Sequence, residues 1–321
     1  MDCALLERLV EDIVAQCAAE ADAGVVASYI PELAQADPRL IGIAIATPDG
    51  SMISAGAADA LFSLQSISSV FTLTLGLGRI GDQLWARFGR EPSGTAYNSI
   101  VQLEREHGLP RNPFINAGAI ALADLNLSQH RPKEAIGEFV RFLGFLADDM
   151  PIFIDRNIAQ SELAASDRNR ALAHFMRAFG NLDHNVDEVL GTYAHYCATV
   201  LDCRQLALAG RFLMRGGLTP NGRVISERRA RRILSLMLTC GMYDESGDFA
   251  FRAGIPAKSG VAGGILAIVP GVASIAVRSP GLNGYGNSKL GVRVLQLLTE
   301  RTGWSIFGIG RKRVPYTSSG Q

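Results

Sequence analysis

The stretch "FSLQSISSVFTLTLGL", residues 62–77, decides how the chain is read. A short apolar-polar alternation ends in a polar turn, and a run follows whose apolar spacing suits a buried helix. Ser66 stands where strand gives way to helix. A helix N-terminus offers unpaired N–H groups and a dipole that favours developing negative charge, the environment a nucleophilic serine needs. The ordinary alternative is an N-cap, which is far commoner for a serine before a helix. Position alone does not separate the two.

Outward from this turn the period of the pattern changes twice. Residues 4–17 carry Leu5, Leu6, Leu9, Val10, Ile13 and Val14 on one helical stripe. "RLIGIAIATPDGSMISAG", residues 39–56, alternates Ile41, Ile43 and Ile45, turns at Pro48-Asp49-Gly50 and resumes, which predicts a β-hairpin. Helical spacing then recurs over 66–80, 115–127, 133–147, 160–179, 184–200, 203–215 and 226–239. After Gly241, "DFAFRAGIPAKSG", "GGILAIVPG" and "VASIAVRSP" read as three short strands. "NSKLGVRVLQLLTERTG" reads as a closing helix capped by Asn287 or Ser288. The expected architecture is α+β: one antiparallel sheet of about five strands built from both chain ends, flanked by helices, with a large helical region inserted. It is taken as a single domain over 1–321, with a sheet region of about 1–61 and 241–303 and a helical region of about 62–240. A polar tail is taken over about 304–321, and its last stretch, "RKRVPYTSSGQ" (311–321), is expected to fray. The cleft is expected between the sheet and helical regions.

Composition narrows the function. The 321 residues include 48% hydrophobic and 19% charged residues, a globular rather than disordered balance. Lys+Arg and Asp+Glu each total 31, so no basic excess points to nucleic acid or to an anionic membrane surface. The N-terminus mixes acids into its apolar pattern and does not read as a signal peptide. The run around Pro270-Gly271 is too short and too interrupted to span a bilayer. Five scattered cysteines, none in a C-x-x-C pair, read as reduced thiols in a cytoplasmic protein. The five histidines show no metal-ligand spacing, and no phosphate loop precedes a helix. Neither a metal nor an organic cofactor is expected.

A second element strengthens the reading of Ser66. "AKSGVAGG", residues 257–264, ends a predicted strand with Lys258-Ser259-Gly260 and a glycine-rich turn. Serine acylases that carry a Ser-x-x-Lys helix place such a Lys-Thr/Ser-Gly strand beside it, where it supplies an oxyanion donor and positive potential. Taken alone, this stretch would be an ordinary turn with a solvated lysine.

The ordered series "YIPELA" (29–34), "FSLQSIS" (62–68), "PSGTAYNSI" (92–100), "RNPFINAGAI" (111–120), "SELAASDRNRALA" (161–173), "YAHYC" (193–197), "SGDFAFRAGIPAKSGVAGGILAIVPG" (246–271) and "SPGLNGYGNSKLG" (279–291) resembles the serine-dependent glutaminase family of serine β-lactamase-like fold. The resemblance spans essentially the whole chain. It implies that Ser66 attacks the side-chain amide of L-glutamine, releasing ammonia and leaving a glutamyl ester that water hydrolyses. It implies an oxyanion hole from the N–H groups of Ser66 and Val261. Asn116, Glu162, Asn169, Tyr193 and Tyr243 are implied as substrate contacts, and Tyr29 as a cleft tyrosine. These residue types suit an amino-acid ligand: Glu162 matches its ammonium, and Asn and Tyr donors its carboxylate. Glu162 and Asn169, seven apart on a predicted helix, are expected on one face. A homodimer or homotetramer is also implied.

One position departs from the pattern. The family has lysine three residues after the nucleophile, and this chain has Ser69. A lysine there shares a helix face with the nucleophile and, desolvated or placed near Lys258, acts as general base. A serine hydroxyl is a poor base and carries no charge, so turnover is expected to be impaired, with Tyr243 or Lys258 as substitutes for the base. Two other classes stand beside an impaired glutaminase: an inactive glutamine- or glutamate-binding homologue, and a penicillin-recognising acylase. The amino-acid-binding set argues against the last.

Overall fold

In the computed structural model, residues 3–94, 96–128 and 130–308 are described. Five strands form one antiparallel sheet: β1 (Gly42–Ala46), β2 (Met52–Gly56), β3 (Ala257–Ser259), β4 (Gly264–Val269) and β5 (Ala273–Arg278), in the order β2-β1-β5-β4-β3. The two chain ends therefore meet at the β1–β5 pair, where Ile43 faces Val277 and Ile45 faces Ile275. This is the arrangement the changes of period predict.

All the strands but the edge strand β2 are buried on both faces, and the two faces carry different residues. Ile43, Ile45, Ile275 and Val277 pack with Leu6, Val10 and Ile13 of α1 (Cys3–Ala18) and with Val294 and Leu298 of α2 (Lys289–Thr302). Ala44, Ala46 and Ala276 face the other way, into the core of the helical region. Small residues on that face let the helix Cys203–Met214 approach closely. A Cβ at Gly210 would run into the Ser274 hydroxyl and would come within 2.7 Å of Leu266. Burying one large aliphatic side chain contributes about 1.5–3 kcal/mol, so the isoleucine face supplies most of the adhesion and the alanine face sets the spacing.

The inserted region contains the helices Ser68–Ile80, Asn116–Leu127, Pro132–Leu146, Arg156–Ala164, Asp167–Ala178, Val186–Cys197, Cys203–Met214 and Glu227–Cys240. Three expectations need correction. The segment 248–260 is not one strand: Ser246–Arg252 is helical and only Ala257–Ser259 joins the sheet. The helix expected over 160–179 breaks at Ala165-Ser166, where Ser166 turns its hydroxyl onto the Leu163 carbonyl at 2.6 Å. Such local side-chain bonding competes with the helical ladder. The helix expected over 184–200 stops at Cys197, and Thr199–Leu201 pairs with Phe62–Ser63 and with Phe153–Ile154. Its β-branched and apolar residues suit a strand flanked on both sides. Ahead of the stretch expected to fray, Trp304 is buried and the Ile306 N–H donates to the Gly254 carbonyl. The remainder of the tail, 309–321, lies outside the described residues.

Candidate active site

Ser66 sits in a 3-10 turn, Gln65–Ile67, one turn before the helix Ser68–Ile80. The helix is capped at Ile67 with no side-chain bond, so Ser66 is not an N-cap. Gln65, immediately before it, is held at φ +49°, a left-handed conformation that costs a non-glycine residue about 1–3 kcal/mol. The β3 edge of the sheet explains how the turn is held. A Cβ on Gly260 would lie 2.6 Å from the Leu64 carbonyl oxygen and 3.3 Å from Gln65, so the end of β3 rests directly against the Ser66 turn. Gly260 is required there by that approach.

Lys258 is not a solvated surface residue. Its side chain is fully buried, its Nζ donates to the Ser259 carbonyl at 2.7 Å, and its Nζ lies 4.4 Å from the Tyr243 ring centroid. No carboxylate pairs with it among the described residues. Desolvation pushes its pKa down to about 7, opposed by the nearby Cys197 and Cys240 thiols. Tyr243, like Gln65, is held in the left-handed region, at φ +53°. Its hydroxyl reaches the Ser259 carbonyl at 3.4 Å and lies close enough to the Ser66 side chain to be influenced by it. Burial pushes the Tyr243 phenol up, and the neighbouring Ser66 side chain works against that.

Ser69, on the opposite side of the turn, is buried and turns its hydroxyl back onto the Ser66 carbonyl at 2.6 Å. It therefore satisfies its donor on the backbone and offers no cation to the Ser66 hydroxyl.

The remaining site residues come from segments far apart in sequence. The Asn116 side-chain amide, at the start of the helix Asn116–Leu127, donates to Asn169 Oδ1 at 2.9 Å. The Asn116 N–H donates to the Tyr97 carbonyl at 3.0 Å. Tyr97 stacks on Tyr243 with centroids 4.8 Å apart. Glu162 and Asn169 are both buried, yet they stand on two helices rather than one face of a single helix. Glu162 Oε2 has no hydrogen-bond partner among the described residues, and burial raises its pKa to about 7. Its charge reaches the Tyr29, Tyr97 and Tyr193 hydroxyls and the Cys197 thiol, so it marks the centre of this polar cluster. Tyr29 is half exposed and, with Tyr97 and Val261, lines an open cavity of about 480 Å³.

Three contributors are not among the expected site residues. Tyr97 lies inside the "PSGTAYNSI" motif, but its stacking partner is more than a hundred residues away in sequence. Cys197, read from the sequence as a reduced thiol, is buried in this cluster, where Glu162, Tyr193 and Ser68 influence its thiol. Asn287, read as a possible cap, instead supports the site while Ser288 caps α2 at Gly291 N–H. The Asn287 amide donates to Glu245 Oε2 at 2.7 Å and to the Met242 carbonyl at 2.9 Å, and its Oδ1 accepts from Ser259 Oγ. This network ties β3 to the turn that carries Tyr243. Its signal in sequence was only the motif "SPGLNGYGNSKLG".

The antiparallel sheet, the flanking terminal helices and the inserted helical region define a protein of β-lactamase-like fold. The chain belongs to the glutaminase family, a family of amidohydrolases: the family model Glutaminase matches residues 24–307. A glutaminase of Rhodopseudomonas palustris is 59% identical over 307 residues, covering 95% of this chain and 99% of its own. The solved structure of the probable glutaminase ybaS superposes with a TM-score of 0.90 at 36% identity, covering 96% of this chain and 99% of its own. The structure of Mglu in its glutamate form gives a TM-score of 0.89 at 37% identity, covering 95% of this chain and 70% of its own.

Proposed function

We propose that this chain hydrolyses the side-chain amide of L-glutamine through an acyl-enzyme on Ser66, with turnover impaired by Ser69. The observation that carries the reading is the strained Ser66 turn, lodged between Tyr243 and the end of β3. Ser66 Oγ attacks the amide carbon and the carbonyl oxygen takes up the negative charge. The N–H groups of Ser66 and Val261 stabilise that charge, and Lys258 adds positive potential behind them. The amide nitrogen takes a proton and leaves as ammonia. Water then cleaves the glutamyl ester and regenerates Ser66. Glu162 receives the substrate ammonium, which supplies a partner for its free oxygen. Asn116, Asn169 and Tyr193 hold the carboxylate end, and Tyr29 closes the rim. That the relative Mglu has a glutamate form agrees with an amino-acid site in this position. The resemblance further implies one catalytic domain over 1–321, a homodimer or homotetramer, and a cytoplasmic setting.

The weak link is the proton taken from Ser66. A positioned general base is typically worth about 10²–10⁴-fold in rate. The Ser69 hydroxyl is occupied by the Ser66 carbonyl and is a poor base at neutral pH. That bond favours a second reading, a glutamine- or glutamate-binding protein that does not turn over. Replacing Ser69→Lys separates the two. Restoration of the base should raise ammonia release by about 10²–10⁴-fold with little change in glutamine affinity. No gain in a folded Ser69→Lys protein that still binds glutamine would overturn the role given to this position. Thermal stabilisation by glutamine without ammonia release in the unaltered chain would establish the binding-only reading.

A further inference from the structure

A second, smaller pocket of about 100 Å³ lies behind the Ser66 turn and shares only Val261 with the open cavity among the proposed substrate contacts. Its floor is apolar, from Leu33, Phe62 and Ile158, and two opposite charges face it, Glu32 and Arg278. One Glu32 oxygen accepts from the Ser161 hydroxyl at 2.9 Å, while the other is enclosed and has no partner among the described residues. Arg278 Nε is likewise enclosed and without a partner, and its guanidinium lies 5.6 Å from the Phe62 ring. The two side chains do not pair with each other, although both line the same small space. An enclosed carboxylate oxygen and an enclosed guanidinium N–H left unmatched are each costly, and one ligand carrying both charges would satisfy both at once.

We propose that this pocket binds a small α-amino acid as its zwitterion, with the ammonium on Glu32 and the carboxylate on Arg278. The volume sets the size. An apolar cavity of about 150 Å³ accommodates benzene, so about 100 Å³ suits glycine or alanine better than glutamine. The apolar floor takes the methyl group of alanine. The site is separate from the one proposed for glutamine, because Ser66, Asn116, Glu162, Asn169, Tyr193 and Tyr243 do not line it. It does touch that site's support, since Ser161, which holds Glu32, immediately precedes Glu162.

The test is thermal unfolding of the full chain titrated with glycine and L-alanine, with ammonium chloride and sodium acetate as half-ligand controls at matched ionic strength. L-Alanine should raise Tm saturably, and each half-ligand should bind about tenfold or more weakly, because one charge-assisted contact is then missing. The Tm rise should disappear in Glu32→Gln and in Arg278→Met, and persist in Glu162→Gln. Ala36→Leu, which fills the pocket without touching either charge, should also abolish it and serves if a charge variant fails to fold. The absence of a saturable rise, its survival in either charge variant or in Ala36→Leu, or its loss in Glu162→Gln would overturn the proposal. Loss in Glu162→Gln would place the ligand in the glutamine site instead and leave the reading of that site intact.

Discussion

The two sides of the Ser66 turn are built to different standards. On the strand side, Lys258 is fully buried and desolvated, and it lies against Tyr243 with no carboxylate to neutralise it. Around it, Ser259, Asn287 and Glu245 form a connected network that holds β3 and the Tyr243 turn in place. On the helix side, Ser69 has folded its only donor onto the backbone. One side retains an expensive, unpaired cation and the other has the least demanding polar group that fits. A buried charge without a partner is a poor way to stabilise a fold, since several kcal/mol of desolvation go uncompensated. Its presence beside a strained serine fits the catalytic role proposed for that site, and under that proposal the economy at Ser69 is where the chemistry would be weakest.

Breaking the strand side should give the largest effect. Lys258→Met is expected to lower turnover by about 10²-fold or more, measured as kcat in the Ser69→Lys background, where the signal is large enough to follow. The same substitution should not destabilise the protein near neutral pH, because it removes an unpaired buried cation. The pH dependence makes this specific. With its folded pKa lowered from 10.5 to about 7, Lys258 binds fewer protons in the native than in the unfolded state between those values. Its penalty is therefore full below about pH 7 and is relieved as pH rises toward 10.5. Chemical denaturation between pH 7 and 10 should show stability rising in the unaltered chain, and that rise should flatten in Lys258→Met. An unchanged slope would mean that Lys258 is not the depressed group.

The contrast between the two sides also explains what the sequence discloses. The sheet is legible because it is a matter of period: Ile43, Ile45, Ile275 and Val277 alternate, and the hairpin turn at Pro48-Asp49-Gly50 sets the register. Ser66, Lys258 and Ser69 are legible because their motifs are local. The break at Ala165-Ser166 is not, since helical spacing continues across it and only the Ser166 side chain interrupts the ladder. Tyr97, Cys197 and Asn287 are invisible for another reason. Each acts through a partner distant in sequence, and one chain read alone gives no measure of which buried polar groups meet. Nor could spacing reveal that Lys258 is buried, because lysine is ordinarily a surface residue.

Glu162 carries the next effect in size, and it sharpens the comparison because it too is a buried, unpaired charge. Its pKa is raised to about 7 by burial, so substrate binding should weaken as pH falls through that value and the carboxylate protonates. Glutamine affinity, followed by thermal shift from pH 8 to pH 5.5, should fall across this range in the unaltered chain. In Glu162→Gln it should be weaker by about 10–100-fold at pH 8 and nearly independent of pH. The stability slope should be opposite to that of Lys258. Between about 4.5 and 7 the native state binds more protons than the unfolded state, so Glu162 makes stability decline as pH rises, a decline that Glu162→Gln removes.

The smallest effect lies at the far ends of two site helices, where charges are paired rather than left alone. Asp124, near the end of the helix Asn116–Leu127, accepts from Arg87 at 2.8 Å and from His184 Nδ1 at 2.9 Å. His184 Nε2 faces the Ser128 carbonyl at 3.0 Å. Both ring nitrogens face acceptors, so both bonds form only in the imidazolium. Desolvation opposes that charge, but the Asp124 and Ser128 bonds outweigh it and raise the pKa. A histidine with a raised folded pKa contributes stability that is complete below about pH 6.5 and is lost as pH rises through the folded value. His184→Gln should therefore cost about 1 kcal/mol below pH 6.5 and less at pH 9, read from denaturant midpoints. Because His184 leads into the helix that carries Tyr193 and Cys197, glutamine affinity should change far less than in Glu162→Gln. A loss of affinity equal to that of Glu162→Gln would show that the paired end, and not the unpaired charges around Ser66, controls the site.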